Sequence, residues 1–166
     1  SWAQGYDYGA LAPHLDFMVV MTYDQHWQGG EPGPVAGIDW VSQVVDYLLD
    51  VGVPREKLVL GLAGYGYDWS RHHTGTQWAQ AVTYSQAMSR LEQAQRTDPR
   101  VQLQWDDEAQ VPFFTYGDRI VYFENGDSLS HKLALAQERG LKGVALWRLG
   151  QEDPELWPLI ESYSRA

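Results

Sequence analysis

Two kinds of hydrophobic pattern divide this chain. The first is the short unbroken run. Residues 17–21 read Phe-Met-Val-Val-Met, which predicts a strand buried on both faces over about 16–23. The chain then turns polar at Thr22, Tyr23 and Asp24 and enters a Gly/Pro loop over 25–34. Behind Asp39, a candidate N-cap, Trp40, Val44, Val45, Leu48 and Leu49 recur at helical spacing, and Gly52 and Pro54 close that helix. A second apolar run over 57–63 predicts another buried strand, which gives way to Tyr65, Tyr67, Asp68 and Trp69. Much later the same order returns. Ser128 is a candidate cap for a helix with Leu129, Leu133 and Ala136 inward, ending at Gly140. A third buried strand is predicted over 141–147. Asp153-Pro154 then opens a last helix that buries Leu156, Trp157, Ile160 and Tyr163.

The second kind of pattern fills residues 70–126. Thr83 and Gln86 make a capping box for a helix with Met88, Leu91 and Ala94 inward. Val101, Leu103 and Trp105 alternate with glutamines and predict a half-buried strand. Two apolar stretches flank Gly117-Asp118, which signals a hairpin over 113–123. This stretch therefore predicts a small α+β insertion with an antiparallel sheet. Without it, the chain reads strand–helix three times over. The predicted sheet is parallel, with the three strands adjacent in sequence order. Residues 1–13 lead in as a loop or short helical turn.

Three strand–helix units are too few for a closed eight-unit barrel, and an open three-stranded sheet leaves both edges bare. Either the chain is the C-terminal part of a longer barrel, or another chain covers the edges.

Composition narrows the function. At 166 residues a single domain is the default, with room for a real core. The net charge of −10 would repel nucleic acid. No apolar run reaches the length of a membrane span, and no signal peptide opens the chain. There is no cysteine, and the five histidines have no metal-ligand spacing, so neither a metal nor another cofactor is called for. The glycines of 61–66 are not in a dinucleotide-binding spacing. Eight Trp and ten Tyr suit a core, and they equally suit stacking on the apolar C–H faces of sugars.

The candidate site follows from the strand ends. Tyr23 and Asp24, Tyr65 and Trp69, and Trp147 lie at or just beyond the ends of the three strands. In parallel α/β folds that end of the sheet carries ligands. Parallel neighbours would bring a phenol, a carboxylate and two indoles to one rim, which suits a carbohydrate. The plainer reading makes Tyr23 a buried tyrosine, Trp147 core filler and Asp24 a loop cap.

These motifs together resemble the C-terminal part of family 18 glycoside hydrolases, the chitinase-like (β/α)8 barrels. Met21-Thr22-Tyr23-Asp24 is similar to the family's sixth-strand motif, and residues 61–69 to its seventh-strand pattern. Trp147 matches the eighth-strand tryptophan. Gln104-Trp105-Asp106, Val121-Tyr122-Phe123-Glu124 and residues 128–132 resemble the α+β domain between the last two strands and the return to the barrel. The wording from Val20 to Trp27 most resembles the bacterial spore-wall branch, which acts on cortex peptidoglycan.

The resemblance implies strands six to eight of the barrel in 1–69 and 127–166, with the insertion at 70–126. It implies retaining hydrolysis of β-1,4 bonds next to N-acetylglucosamine, with the substrate's acetamido group as nucleophile. Tyr23 and Asp24 would be catalytic, while Met21, Trp27, Tyr65, Trp69 and Trp147 would bind substrate. The proton-donating glutamate closes a fourth-strand motif that this sequence does not contain. The implied partner is chitin or peptidoglycan, with the rest of a barrel or a second copy on the open edge. The implied location is secreted, at the cell wall or spore. A lectin-like member lacking the acid is the alternative. Ala63 and Tyr67 depart from the family, which often has proline and arginine there.

Overall fold

A computed structural model describes residues 6–164. Two sheets form separately, as the two patterns predict. The first is parallel, in the order β1 (Met18–Val20), β2 (Leu58–Ala63), β8 (Gly143–Trp147). Met18 pairs with Leu58, and Leu60 with Val144. The second is antiparallel, in the order β4 (Ala79–Thr83), β3 (Tyr65–Ser70), β7 (Arg119–Tyr122), β6 (Val111–Tyr116), β5 (Gln104–Asp106). The hairpin β6–β7 turns at Gly117-Asp118 and lies wholly in this second sheet. The helices are α1 (Tyr8–Leu11), α2 (Ile38–Asp50), α3 (Tyr84–Thr97), α4 (Gly126–Glu138) and α5 (Leu156–Ser164). The expected lead-in over 1–13 contains α1, capped by Asp7; its first five residues lie outside those described.

Strand alternation decides what the parallel sheet buries. Leu58, Leu60 and Leu62 point to one face and are fully buried. They pack on Val41, Val45 and Leu48 of α2, Leu129, Leu133 and Ala136 of α4, and Leu156 of α5. Each such leucine contributes about 1.5–3 kcal/mol by leaving water. The opposite face carries Val19, Val59, Gly61, Ala145 and Trp147 in register. Val19, with its neighbours Phe17 and Met21, is exposed. This corrects the expectation of a first strand buried on both faces. An unbroken apolar run shows that both faces are apolar, and it does not show what covers them. β1 is also shorter than 16–23, and β8 starts at Gly143 and is only half-buried.

Several local expectations move by a few residues. The N-cap of α2 is Gly37, and Asp39 sits inside the first turn. The N-cap of α4 is Asn125, while Ser128 is the third residue of a reciprocal capping box. The capping box of α3 forms as expected, with Gln86 N donating to Thr83 Oγ1 at 3.1 Å and Thr83 N to Gln86 Oε1 at 3.0 Å. β5 begins at Gln104, which leaves Leu103 exposed. Asp153 caps a turn just before α5, accepting from Glu155 N at 3.1 Å and from Gly126 N, at the start of α4, at 2.8 Å. Leu156 is buried as expected, whereas Trp157 is exposed.

The antiparallel sheet has two dissimilar faces. One packs Val82, Phe114, Val121 and Phe123 against Ala87 and Leu91 of α3. Buried Asp68 ties this face together. Its carboxylate accepts from Tyr116 at 2.6 Å, from Arg119 Nε at 2.8 Å and from Arg90 of α3. The other face carries Tyr65, Tyr67, Trp69, Ala79, Ile120 and Tyr122. Where the chain returns to the parallel sheet, Glu124 and Lys132 form a buried ion pair at 2.9 Å. Ser128 Oγ also donates to Glu124 Oε2, at 2.6 Å.

Candidate active site

The parallel sheet ends in a group of hydroxyl and carboxylate side chains. Thr22, fully buried, donates Oγ1 to Gly61 O of the neighbouring strand at 2.7 Å. That bond fixes the chain where β1 ends. Two residues on, Asp24 takes φ 60°, a left-handed conformation that aspartate tolerates better than most side chains. Strained backbone of this kind is frequent at functional sites. The loop behind it is tied down. Gln25 N donates to Val35 O at 2.9 Å, His26 N to Pro34 O at 3.2 Å, and Gln25 Oε1 accepts from Gly37 N at 2.8 Å.

Asp24 receives two phenols on one oxygen. Tyr65 donates to Oδ1 at 2.6 Å and Tyr67 at 2.9 Å. Oδ2 accepts no hydrogen bond from the described residues. The ring of Tyr23 stands edge-on to Tyr65, with centroids 6.3 Å apart. Burial first, then the Asp24 carboxylate, pushes the Tyr23 hydroxyl above the usual phenol range. Tyr65 and Tyr67 are raised further by burial and by Asp24, so both stay protonated donors. The arrangement holds one carboxylate in place through a single oxygen.

The remaining expected site residues divide. Trp69 donates Nε1 to Trp27 O at 3.3 Å, which places the Trp27 loop against the antiparallel sheet. Trp69 itself is buried, while Trp27 is 52% exposed. Trp147 ends β8 in register with Ala63, its carbonyl accepts from Gly64 N at 2.8 Å, and its side chain is 56% exposed. Met21 is 59% exposed on the open side of β1. Tyr65 and Trp69 both belong to β3, so the antiparallel sheet begins at Tyr65, directly after Gly64.

Sequence reasoning passed over Tyr67 as a site residue, treating it only as a departure from arginine. Its signal was the period-two series Tyr65, Tyr67, Trp69, which puts three aromatics on one face. Thr22 and Gln25 were also passed over, because their partners lie 39 and 12 residues away. His72 and His73 are exposed, and Asp106 caps its own turn by accepting from Glu108 N and Ala109 N.

Residues 1–152 match the family model of glycosyl hydrolases family 18, and the chain belongs to this family. It is 36% identical over 165 residues to the cortical fragment-lytic enzyme of Bacillus subtilis strain 168. That match covers 96% of this chain and 37% of the relative. The fold is similar to that of the spore cortex-lytic enzyme SleL of Bacillus megaterium QM B1551, with a TM-score of 0.85 and 34% identity. There the match covers 96% of this chain and 36% of that one. It is also similar to a chitinase from Chromobacterium violaceum ATCC 12472, with a TM-score of 0.84 and 29% identity, over 98% of this chain and 50% of that one. The chain thus spans between about a third and a half of the length of these relatives. Among the described residues, no helix is long and apolar enough to cross a membrane.

Proposed function

We propose that this chain is the C-terminal part of a glycosidase that cleaves β-1,4 bonds next to N-acetylglucosamine in spore-cortex peptidoglycan or a chitin-like glycan. In this reading 1–69 and 127–166 belong to a (β/α)8 barrel, with β1, β2 and β8 as its strands six to eight, and 70–126 is the inserted subdomain. The face bearing Val19, Val59, Gly61 and Ala145, exposed at Val19, is the interior of that barrel. The relatives named for cortex lysis support the cortex, and a spore-associated location, over other glycans.

The observation that carries the reading is Asp24, held on one oxygen by Tyr65 and Tyr67 at the ligand-bearing end of the parallel sheet. A sugar unit lies over exposed Trp147. Its acetamido oxygen attacks its own anomeric carbon as the glycosidic bond breaks, giving an oxazolinium ion. Tyr23 donates its hydroxyl to the acetamido group and keeps it aligned for that attack. Asp24 supports the positive charge that spreads over the same group. Met21 and Trp27 shape the walls, and buried Tyr65 and Trp69 support the site from behind, holding Asp24 and the Trp27 loop. The proton for the leaving oxygen comes from a glutamate elsewhere in the complete protein. Water then attacks the anomeric carbon from the face the leaving oxygen vacated and breaks its bond to the acetamido oxygen, so the anomeric configuration is retained.

The test is product analysis with the complete protein on cortex fragments and on N-acetylglucosamine oligomers. Reducing ends of retained configuration, lost in Asp24→Asn, are the expected result. Tight binding of both glycans with no new reducing ends would overturn the enzyme in favour of a lectin.

A further inference from the structure

Beyond the Asp24 site, one exposed aromatic is held more firmly than its exposure requires. Trp78 lies in a single 3-10 turn, Thr76–Trp78, before β4. It is 43% exposed and belongs to none of the three apolar clusters. Its backbone is nevertheless fixed from two sides. Gln28, in the loop after β1, donates its amide to Thr76 O at 3.2 Å and to Ala79 O at 2.9 Å. Arg119 donates to Trp78 O at 3.2 Å and is itself anchored on Asp68. The imidazole of His73 stacks on the indole, 4.5 Å between centroids and tilted by 31°. One side of Trp78 is thereby covered and its exposure lies on the rest of the ring.

Gln28 follows Trp27 directly, so the same contact joins the two exposed indoles. Trp27 is built in the same way. Its ring lies over Gly29, where a Cβ would collide with the six-membered ring, and its carbonyl is held by Gly30 N and Trp69 Nε1. Two indoles, each backed on one side, sit on turns that the Gln28 side-chain amide ties together. Neither adds to the core. Such preorganised, flat, amphipathic surfaces bind with little ordering cost.

We propose that Trp78, backed by His73, is a distal sugar-stacking subsite that extends the Asp24 site along the antiparallel sheet by way of Trp27. Its occupant is a sugar unit of the same β-1,4 glycan, remote from the bond that is cleaved. A pyranose ring of this linkage presents apolar C–H faces to an indole and its hydroxyls to solvent. The proposal rests on the glycan reading above. It predicts that affinity rises with chain length and that Trp78 carries part of that rise.

The test uses the complete protein and sulfur-linked N-acetylglucosamine dimer and hexamer, whose thioglycosidic bonds resist hydrolysis. Binding of each is titrated for the parent and for Trp78→Ala, Trp78→Phe and Trp157→Ala. The expected result is that Trp78→Ala lowers the hexamer-to-dimer affinity ratio about tenfold, the scale of one lost aromatic contact. Trp78→Phe should lower it less, and Trp157→Ala, an exposed tryptophan on α5, should leave it unchanged. Melting temperatures confirm that the variants fold. A ratio unchanged in Trp78→Ala, with the parent preferring hexamer, overturns the subsite and leaves the glycan reading standing. A parent that binds neither oligomer overturns the glycan reading and the subsite with it.

Discussion

Tyr67 reaches across 43 residues of chain to donate its hydroxyl to Asp24 at 2.9 Å. It shares the acceptor oxygen with Tyr65, so the carboxylate is held by two donors from one face of β3. This joins the antiparallel sheet to the end of the parallel one. A carboxylate bound at one oxygen by two buried phenols has little rotational freedom.

The first prediction follows from that restraint. In the complete protein, Tyr67→Phe keeps the ring but removes one donor to Asp24. Tyr67 acts through Asp24 and is therefore a positioning residue. Turnover should fall about tenfold while KM changes less than about threefold, the scale of one hydrogen bond to a charged group. The separate readout of kcat and KM checks it, since a merely structural loss would lower the melting temperature and leave kcat of the folded fraction alone.

Alkaline titration gives the second. Burial and Asp24 raise the Tyr65 and Tyr67 hydroxyls well above the ordinary phenol value of about 10. Tyr116, buried and bonded to Asp68, is pushed up to about 12. A raised folded value means that the unfolded chain loses its protons first. The stabilisation is fully present below about pH 10 and is lost as pH rises through the folded values. The ten tyrosines should therefore ionise in at least two phases by ultraviolet absorbance, the later one coincident with unfolding. Tyr65→Phe with Tyr67→Phe should shrink the later phase.

The third concerns the junction between the sheets. Glu124 and Lys132 are both fully buried, with Ser128 completing the network and Glu124 Oε1 without a hydrogen-bond partner among the described residues. Lys132→Met leaves a buried carboxylate unpaired, which typically costs about 3–5 kcal/mol. Burial raises Glu124 despite the opposing pull of Lys132. The contribution of Glu124 is thus present below the ordinary glutamate value of about 4.3 and is lost as pH rises through its folded value. The penalty of Lys132→Met should shrink in acid, where Glu124 is neutral. Urea unfolding at two pH values measures both effects, and a penalty independent of pH would count against this account.

How much of this was visible in the sequence depends on the range of each interaction. β2 was readable because its run is apolar on both faces and both faces are covered. β1 has the same kind of run, yet Phe17, Val19 and Met21 are exposed, because composition carries no record of what lies opposite. The capping box of α3 was readable because Thr83 and Gln86 are three residues apart. In α4 the same reciprocity misled, since Ser128 is its third residue and Asn125 its cap. Tyr23, Asp24 and Trp147 stood out because they follow the ends of apolar runs, and the resemblance supplied their roles. Tyr67 and the Asp68 network depend on partners 22–51 residues distant, and no local pattern specifies those.

The fourth prediction concerns the 166 residues expressed alone. Phe17, Val19, Met21 and Trp147 are exposed, and among the described residues β1 ends the parallel sheet with an unpaired edge. Apolar edges and faces of this kind recruit further strands or copies. Sedimentation should show association that grows with concentration. A single monomer at all concentrations with a sharp cooperative melt would refute it.

The last prediction returns to Tyr23. Its backbone follows Thr22, which is locked to Gly61 O, so the phenol is carried on a fixed point. Its ring is braced edge-on by Tyr65, and its hydroxyl makes no hydrogen bond to any described residue. A preorganised donor aimed at the place where charge develops stabilises the transition state without reorganising. In the proposed reaction that place is the acetamido group as it closes to the oxazolinium. Tyr23→Phe keeps the ring, the packing and the Tyr65 contact, and removes only the hydroxyl. In the complete protein turnover should fall roughly ten- to a thousandfold, since one such donor is worth at most about 4 kcal/mol in comparable sites. Affinity should change much less, the mark of an interaction made chiefly in the transition state. The melting temperature should hardly move, because no protein hydrogen bond is lost. Undiminished turnover together with a collapsed melting temperature would make Tyr23 a packing residue and remove it from the proposed chemistry.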